Sequence, residues 1–173
     1  MDLYDVLVYP DSRLRNVSKS VTEFDAALAK LVAKLDHHLY NGPPSVGIAA
    51  PQIGFFLRVA IVDVSSMFDV GRKRKPKGTN HGHLVLVNPV ITQRSGEVVG
   101  REGCLSVPDY TGNVARAEEI VLVAKNALGQ QQRYALSGFE ARAVQHEIDH
   151  LDGILFLDRV VSSREVFRRK DYR

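Results

Sequence analysis

His146 and His150 stand four residues apart in Gln145-His146-Glu147-Ile148-Asp149-His150, with Glu147 directly after the first. Residues four apart share one face of a helix, so the two imidazoles can grip a single ion while Glu147 lies beside it, placed to handle a proton. The chain's only cysteine, Cys104, lies upstream in Glu102-Gly103-Cys104-Leu105-Ser106-Val107-Pro108. Together these residues point to a metal hydrolase with thiolate ligation. Such a site needs a third protein ligand and an open position for water. The candidates are Cys104 and a downstream acid such as Glu165. Cys104 is favoured, because it lies in a loop-like turn ended by Pro108 while Glu165 falls in a basic, polar stretch. The His-Glu-x-x-His pattern also occurs without metal. Two imidazoles and a carboxylate on a buried helix would be costly without partners, however, and an ion satisfies them together.

The helix carrying the motif is expected to open at Ser137-Gly138-Phe139-Glu140, a capping-box pattern, and to end near Leu151, with Gly153 able to take the left-handed conformation that closes helices. Ala141, Ala143, Val144, Ile148 and Leu151 spread around its circumference, so it should be buried among sheets rather than lie on the surface. A second, amphipathic helix is predicted over 22–40, with a capping pattern at Thr22-Glu23-Phe24-Asp25 and apolar residues from Phe24 to Leu39 at three- and four-residue steps. His37 and His38 near its end read as surface residues suited to the helix dipole. Residues 41–54, with Gly42-Pro43-Pro44 and two further glycines, read as irregular backbone able to approach a ligand closely. Strands are predicted at 58–64, 84–91, 120–124 and 131–136, the last two joined through 126–129 as a hairpin, which makes the middle of the chain largely antiparallel sheet. The polar segment 65–83 contains Arg72-Lys73-Arg74-Lys75-Pro76-Lys77 and reads as an exposed loop, with His81 and His83 as ordinary polar residues.

Composition narrows the classes. With 173 residues, 45% of them apolar and 25% charged, residues 1–173 are most simply one domain. No stretch approaches the roughly 18 continuous apolar residues of a membrane span. The opening Met1-Asp2-Leu3-Tyr4-Asp5 has acid where a secretory signal would carry base, so the protein is expected to be cytoplasmic. One cysteine cannot form an internal disulfide, which fits a reducing compartment. A net charge of +3 is too small by itself to imply nucleic-acid binding, and no DNA or membrane partner is expected.

Three blocks, Gly47-Ile48-Ala49-Ala50-Pro51-Gln52-Ile53-Gly54, the Cys104 segment Glu102 to Pro108, and Gln145-His146-Glu147-Ile148-Asp149-His150-Leu151-Asp152-Gly153, closely resemble in order and spacing the three signature motifs of peptide deformylases. The early Tyr9-Pro10-Asp11-Ser12-Arg13-Leu14-Arg15 and the Gly138 to Ala143 lead-in are similar to that family as well, so the likeness spans nearly the whole chain. Pattern and resemblance together give an α+β fold with antiparallel β-sheets packed around a buried C-terminal helix that carries His-Glu-x-x-His.

The resemblance implies that one divalent metal ion is held by Cys104, His146 and His150 with water in the fourth place. It implies ferrous iron in the cell, with zinc, nickel or cobalt as alternatives. Glu147 would act as general base and then general acid, removing the N-formyl group from the formyl-methionine end of new polypeptides, while Gln52 and the Leu105 N–H stabilise the oxyanion. The methionine pocket and the extended peptide would be met by Val46, Gly47, Gly103, Phe139, Arg142 and Ala143, with main-chain pairing at Val46 and Gly103. Glu102 and Arg116 match an ion pair that braces the Cys104 segment. The 162–173 stretch reads as a short basic tail rather than a long ribosome-docking helix, which leaves a weak ribosome contact to the Arg72–Lys77 loop, and the protein is expected to be a monomer. Two other readings compete. One is a zinc endopeptidase using His146, His150 and a downstream carboxylate such as Glu165, and the other is a metal-bound module that captures nascent chains or ribosomal RNA without catalysis.

Overall fold

Val59-Ala60-Ile61-Val62 offer no polar face to solvent, and all four are buried as strand β2 (Val59–Val62). In the computed structural model, which describes residues 5–169, β2 lies between two helices. On one side α1 (Ala26–Asn41) lays Leu28, Leu31, Val32, Leu35 and Leu39 against Val59 and Ile61. On the other, Ala60 of β2 and Ala49 of β1 (Gly47–Ala49) meet Leu151 at the end of α2 (Gly138–Leu151), their small side chains allowing the helix to come close. The acidic opening of the chain and the end of its basic tail lie outside the described residues.

The five-stranded sheet runs β1-β2-β3-β6-β7, with β3 (Leu84–Ser95), β6 (Glu119–Lys125) and β7 (Gln131–Ser137) completing it, and every pairing is antiparallel. The apolar residues of β3, β6 and β7, including Leu84, Leu86, Leu122 and Leu136, form one cluster with Ala141, Val144 and Ile148 of α2. A smaller sheet, β4 (Val98–Cys104), β5 (Val107–Arg116) and β8 (Val166–Arg168), is antiparallel throughout. The expected antiparallel sheets and mixed helix–strand composition are therefore present. No helix among the described residues is long and apolar enough to cross a membrane.

Several local expectations need correction. Helix α1 begins four residues later than predicted: the Asp25 carboxylate accepts the Ala27 and Leu28 N–H groups at 3.0 Å and so caps the helix itself. His38 is buried rather than a surface residue, and burial lowers its pKa, favouring the neutral ring. Ser137 makes no side-chain cap on α2. Glu140 turns away to accept from the His81 backbone N–H at 2.7 Å and to meet the His81 ring Nδ1 at 2.8 Å. The segment read as an exposed polar loop is thus tied down towards its far end through His81, while His83 meets Asp36 at 2.6 Å. Residues 47–53 are more regular than expected, forming β1 and a turn of 3-10 helix. Strands β4 and β5 went unpredicted; Cys104 ends a strand instead of sitting in a loop.

Helix α2 starts where two glycines pass each other. Gly138 has φ +61°, and a Cβ placed on it would fall 2.1 Å from the Lys77 carbonyl oxygen, which accepts the Phe139 N–H at 2.9 Å. Replacing Gly138 with Ala should therefore cost about 2 kcal/mol or more, from the left-handed conformation and the backbone clash together. Urea unfolding reads this directly, and an unchanged midpoint would contradict the close approach.

Candidate metal centre

Strand β4 exposes one face and turns Glu102 and Cys104 inward, two residues apart on the same side. They meet α2, whose His146 and His150 project towards them one turn apart. One ligand atom from each of Cys104, His146 and His150 lies within 4.8 Å of the others, with Cys104 Sγ 3.2 Å from His150 Nε2. A sulfur with two imidazoles suits a borderline-soft divalent ion such as iron, zinc, cobalt or nickel. Burial alone would raise the Cys104 thiol, but the facing His150 and His146 rings outweigh it and hold the thiol well below its ordinary range, favouring the thiolate a metal requires.

Glu102 is the hub behind this group. One carboxylate oxygen accepts from Arg116 Nε at 2.9 Å and Arg142 Nη1 at 2.8 Å. The other accepts from Arg116 Nη2 at 2.9 Å and meets His146 Nδ1 at 2.9 Å. Burial would raise the Glu102 carboxyl, yet Arg116 and His146 hold it far below the usual carboxylate range. Because Nδ1 of His146 is committed to Glu102, Nε2 is the nitrogen left to face the ion, the arrangement that fixes ring orientation in metal sites. Arg116 continues to Asp149, whose carboxylate also takes Arg159 Nε at 2.6 Å and Nη2 at 2.8 Å. Sequence reading found the Glu102–Arg116 pair but not its hold on His146. Strand alternation was the available signal, since it sets Glu102 on the same side as Cys104.

Glu147 is buried, and its Oε2 has no hydrogen-bond partner, an orphaned oxygen next to the donor group. Burial pushes its carboxyl up to about 7, against the pull of His146 and His150. A Cβ on Gly47 would lie 2.5 Å from Glu147 Oε1, so only glycine leaves room for the carboxylate there. Gln52 is fixed from both ends. Its Oε1 accepts the Ala49 N–H at 2.9 Å, and its Nε2 donates to Ser106 Oγ at 3.1 Å and to Cys104 Sγ at 3.5 Å. Glu165, the rival third ligand, bonds Asn113 and is not in the donor group.

A cavity of about 290 Å³ opens over these groups. Gln52, Cys104, Leu105, His146 and Glu147 line it, as do Val46, Gly47, Gly103, Phe139, Arg142 and Ala143. Every site residue expected from the sequence except His150 thus borders the cavity, and His150 sits behind Cys104. The guanidinium of Arg142 is nevertheless turned onto Glu102 and the Val98 and Val114 carbonyls, as a brace. Ala143 and Phe139 also pack into the α2 core cluster. Strands β1 and β4 are both edge strands, and the cavity lies between residues of the two.

A family model described as polypeptide deformylase matches residues 3–166. A peptide deformylase of Thermodesulfovibrio yellowstonii is 36% identical over 98% of this chain and 97% of its own. The crystal structure of a peptide deformylase from Legionella pneumophila superposes with a TM-score of 0.81 at 35% identity, covering 95% of this chain and 89% of the other. A class I type b peptide deformylase from Acinetobacter baumannii, solved bound to Met-Ala-Ser, superposes with a TM-score of 0.80 at 33% identity, covering 92% of this chain and all of that one.

Glu102→Gln keeps the side chain's shape while removing the charge that orients His146. Metal affinity, followed by competition with a chelator, should fall about 10–100-fold. Full affinity in this variant would mean the carboxylate does not set the ring.

Proposed function

From the chain's membership of the peptide deformylase family, whose enzymes remove N-formyl groups from new polypeptides in a metal-dependent reaction, we propose the following division of labour among its residues. Residues 1–173 act as one catalytic domain, with Cys104, His146 and His150 holding the ion, ferrous iron in the cell. When bound, the ion supplies a Lewis acid that polarises the formyl carbonyl and acidifies a water molecule. Glu147 takes the proton from the attacking water and delivers it to the departing amine as the C–N bond breaks, leaving formate and a free N-terminus. Its orphaned Oε2 carries this reading: a buried carboxylate oxygen with no partner, beside three metal donors, is costly unless a reacting group uses it.

Gln52 and the Leu105 backbone N–H donate to the oxyanion that forms at the formyl carbon. The Gln52 hydrogen directed at Cys104 Sγ, 3.5 Å away, makes the weaker of its two bonds and is the one free to turn to an oxygen. The methionine side chain enters the cavity beside Val46, Phe139 and Ala143, all of which line it. The peptide main chain lies between the edges of β1 and β4, adding a strand in the way exposed sheet edges accept extended peptides. Met-Ala-Ser bound to the Acinetobacter relative is a ligand of this kind, a peptide that begins with unformylated methionine.

The test is turnover of formyl-Met-Ala-Ser beside its acetyl counterpart, with protein prepared without oxygen and its metal content measured. Formyl-selective turnover is expected. Glu147→Gln should abolish it with metal content unchanged, and Gln52→Ala should lower kcat by about 100-fold, the loss of one oxyanion donor. Full activity in Glu147→Gln would overturn the proton assignment. Separately, Gly47→Ala should keep fold and metal yet lose most activity, because the added carbon occupies the place of Glu147 Oε1.

A further inference from the structure

Among the residues lining the pocket are two exposed arginines that the proposed division of labour does not use, Arg101 on β4 and Arg169 just after β8. Register explains why they meet. Arg101 pairs with Asn113, Gly103 with Thr111, and Thr111 with Phe167, so Arg101, Gly103 and Phe167 share the outer face of the small sheet, and Arg169, two residues past Phe167, follows on that face.

Both arginines are held there. Arg101 donates to Asn113 Oδ1 at 2.8 Å and to Thr111 Oγ1 at 3.1 Å, and its guanidinium lies 3.7 Å from the centre of the Phe167 ring. The Arg169 N–H bonds the Asp109 carbonyl at 2.8 Å, and its guanidinium crosses Gly103 so closely that a Cβ there would fall 2.4 Å from Nη2. Both residues are exposed, and among the described residues no carboxylate pairs with either. The remaining charges lining the pocket point elsewhere or lie deep. Arg142 is paired with Glu102, Arg116 bridges Glu102 to Asp149, and Glu147 is buried beside Gly47. Among the described residues, two guanidinium groups with no direct carboxylate partner therefore stand at the mouth, Glu165 being linked to Arg101 only through Asn113.

We propose that Arg101 and Arg169 form a cationic rim that favours polypeptides with acidic side chains in the two residues after the methionine. The inference rests on the deformylase reading of the site, which places an extended peptide alongside Gly103. Successive side chains of that peptide alternate in direction at about 3.4 Å per residue, so one of the two following the methionine is aimed at the arginine-bearing face. An exposed arginine–carboxylate pair is modest in strength and weakened by salt. The rim therefore grades substrates without excluding any.

The experiment compares kcat and KM for C-terminally amidated formyl-Met-Ala-Ser and its analogues with Asp, Glu or Lys in place of Ala or of Ser. Amidation removes the terminal carboxylate as a competing anion. Wild-type protein should use the acidic peptides about three- to tenfold better in kcat/KM than the lysine peptides, chiefly through KM, and the ratio should shrink as salt rises from about 20 mM to 500 mM. Arg169→Ala should remove much of the preference, Arg169→Glu should reverse it, and Arg169→Lys should retain part of it, each preference being read as a ratio to the uncharged peptide with the same variant. Equal use of acidic and basic peptides by the wild type, or a preference unchanged in Arg169→Glu, overturns the proposal. Absence of turnover even with formyl-Met-Ala-Ser would instead overturn the deformylase reading on which it rests.

Discussion

A carboxylate sealed in the interior must be satisfied completely, and Glu102 meets that demand with two contacts to Arg116, one to Arg142 and one to His146. Its two ends belong to different parts of the molecule, β4 and α2, while Arg116 comes from β5. Saturating one side chain therefore locks the small sheet against the helix in a single register. Removing one partner would leave a buried polar atom of Glu102 short of a hydrogen bond, so the network tolerates little intermediate geometry. Cys104, two residues along β4, and His146, on α2, are brought opposite each other by that constraint. The donor group is thus assembled by a bridge between sheet and helix whose main members never touch the ion.

The rest of the architecture supplies stiffness around this bridge. Leu151, at the far end of α2, is pressed against Ala49 and Ala60, while Glu140, at its near end, is tied to His81. Arg58 reaches Asp152 at 2.7 Å, just beyond the helix. A helix anchored at both ends cannot easily slide or rotate, and a rotation of a few degrees would move His146 and His150 off their shared face. Small residues matter as much as large ones here. Gly47 and Ala49 let β1 run so near α2 that the Glu147 carboxylate fills the space a side chain at 47 would take, with no hydrogen bond holding its Oε2.

What could be read in advance followed from the kind of signal each element carries. The motif helix, α1 and strands β2, β3, β6 and β7 bury apolar residues, and their hydrophobic periodicity is visible in the chain. Strands β4 and β5 escaped because the inward face of β4 carries Glu102 and Cys104 where a strand ordinarily shows valine or isoleucine; the residues that make the site erase the pattern that would announce the strand. Glu140 fitted a capping box by spacing but found a better partner across the chain in His81, which no local rule anticipates. His38 looked like a surface residue because its burial depends on what packs over α1. Arg169 gave no sign at all. Its place beside the pocket depends on a three-residue strand, β8, aligning with β5.

Flanking a cavity with two free strand edges has a further implication. On the proposed binding mode, a peptide gripped by such edges is recognised through amides and carbonyls that every residue possesses, so beyond the side chain in the cavity its sequence is graded by the arginine rim rather than selected. Recognition of that kind is general by construction. A protein so built can serve a very large and chemically diverse set of chains with one site, and it has no need of a separate receptor for each.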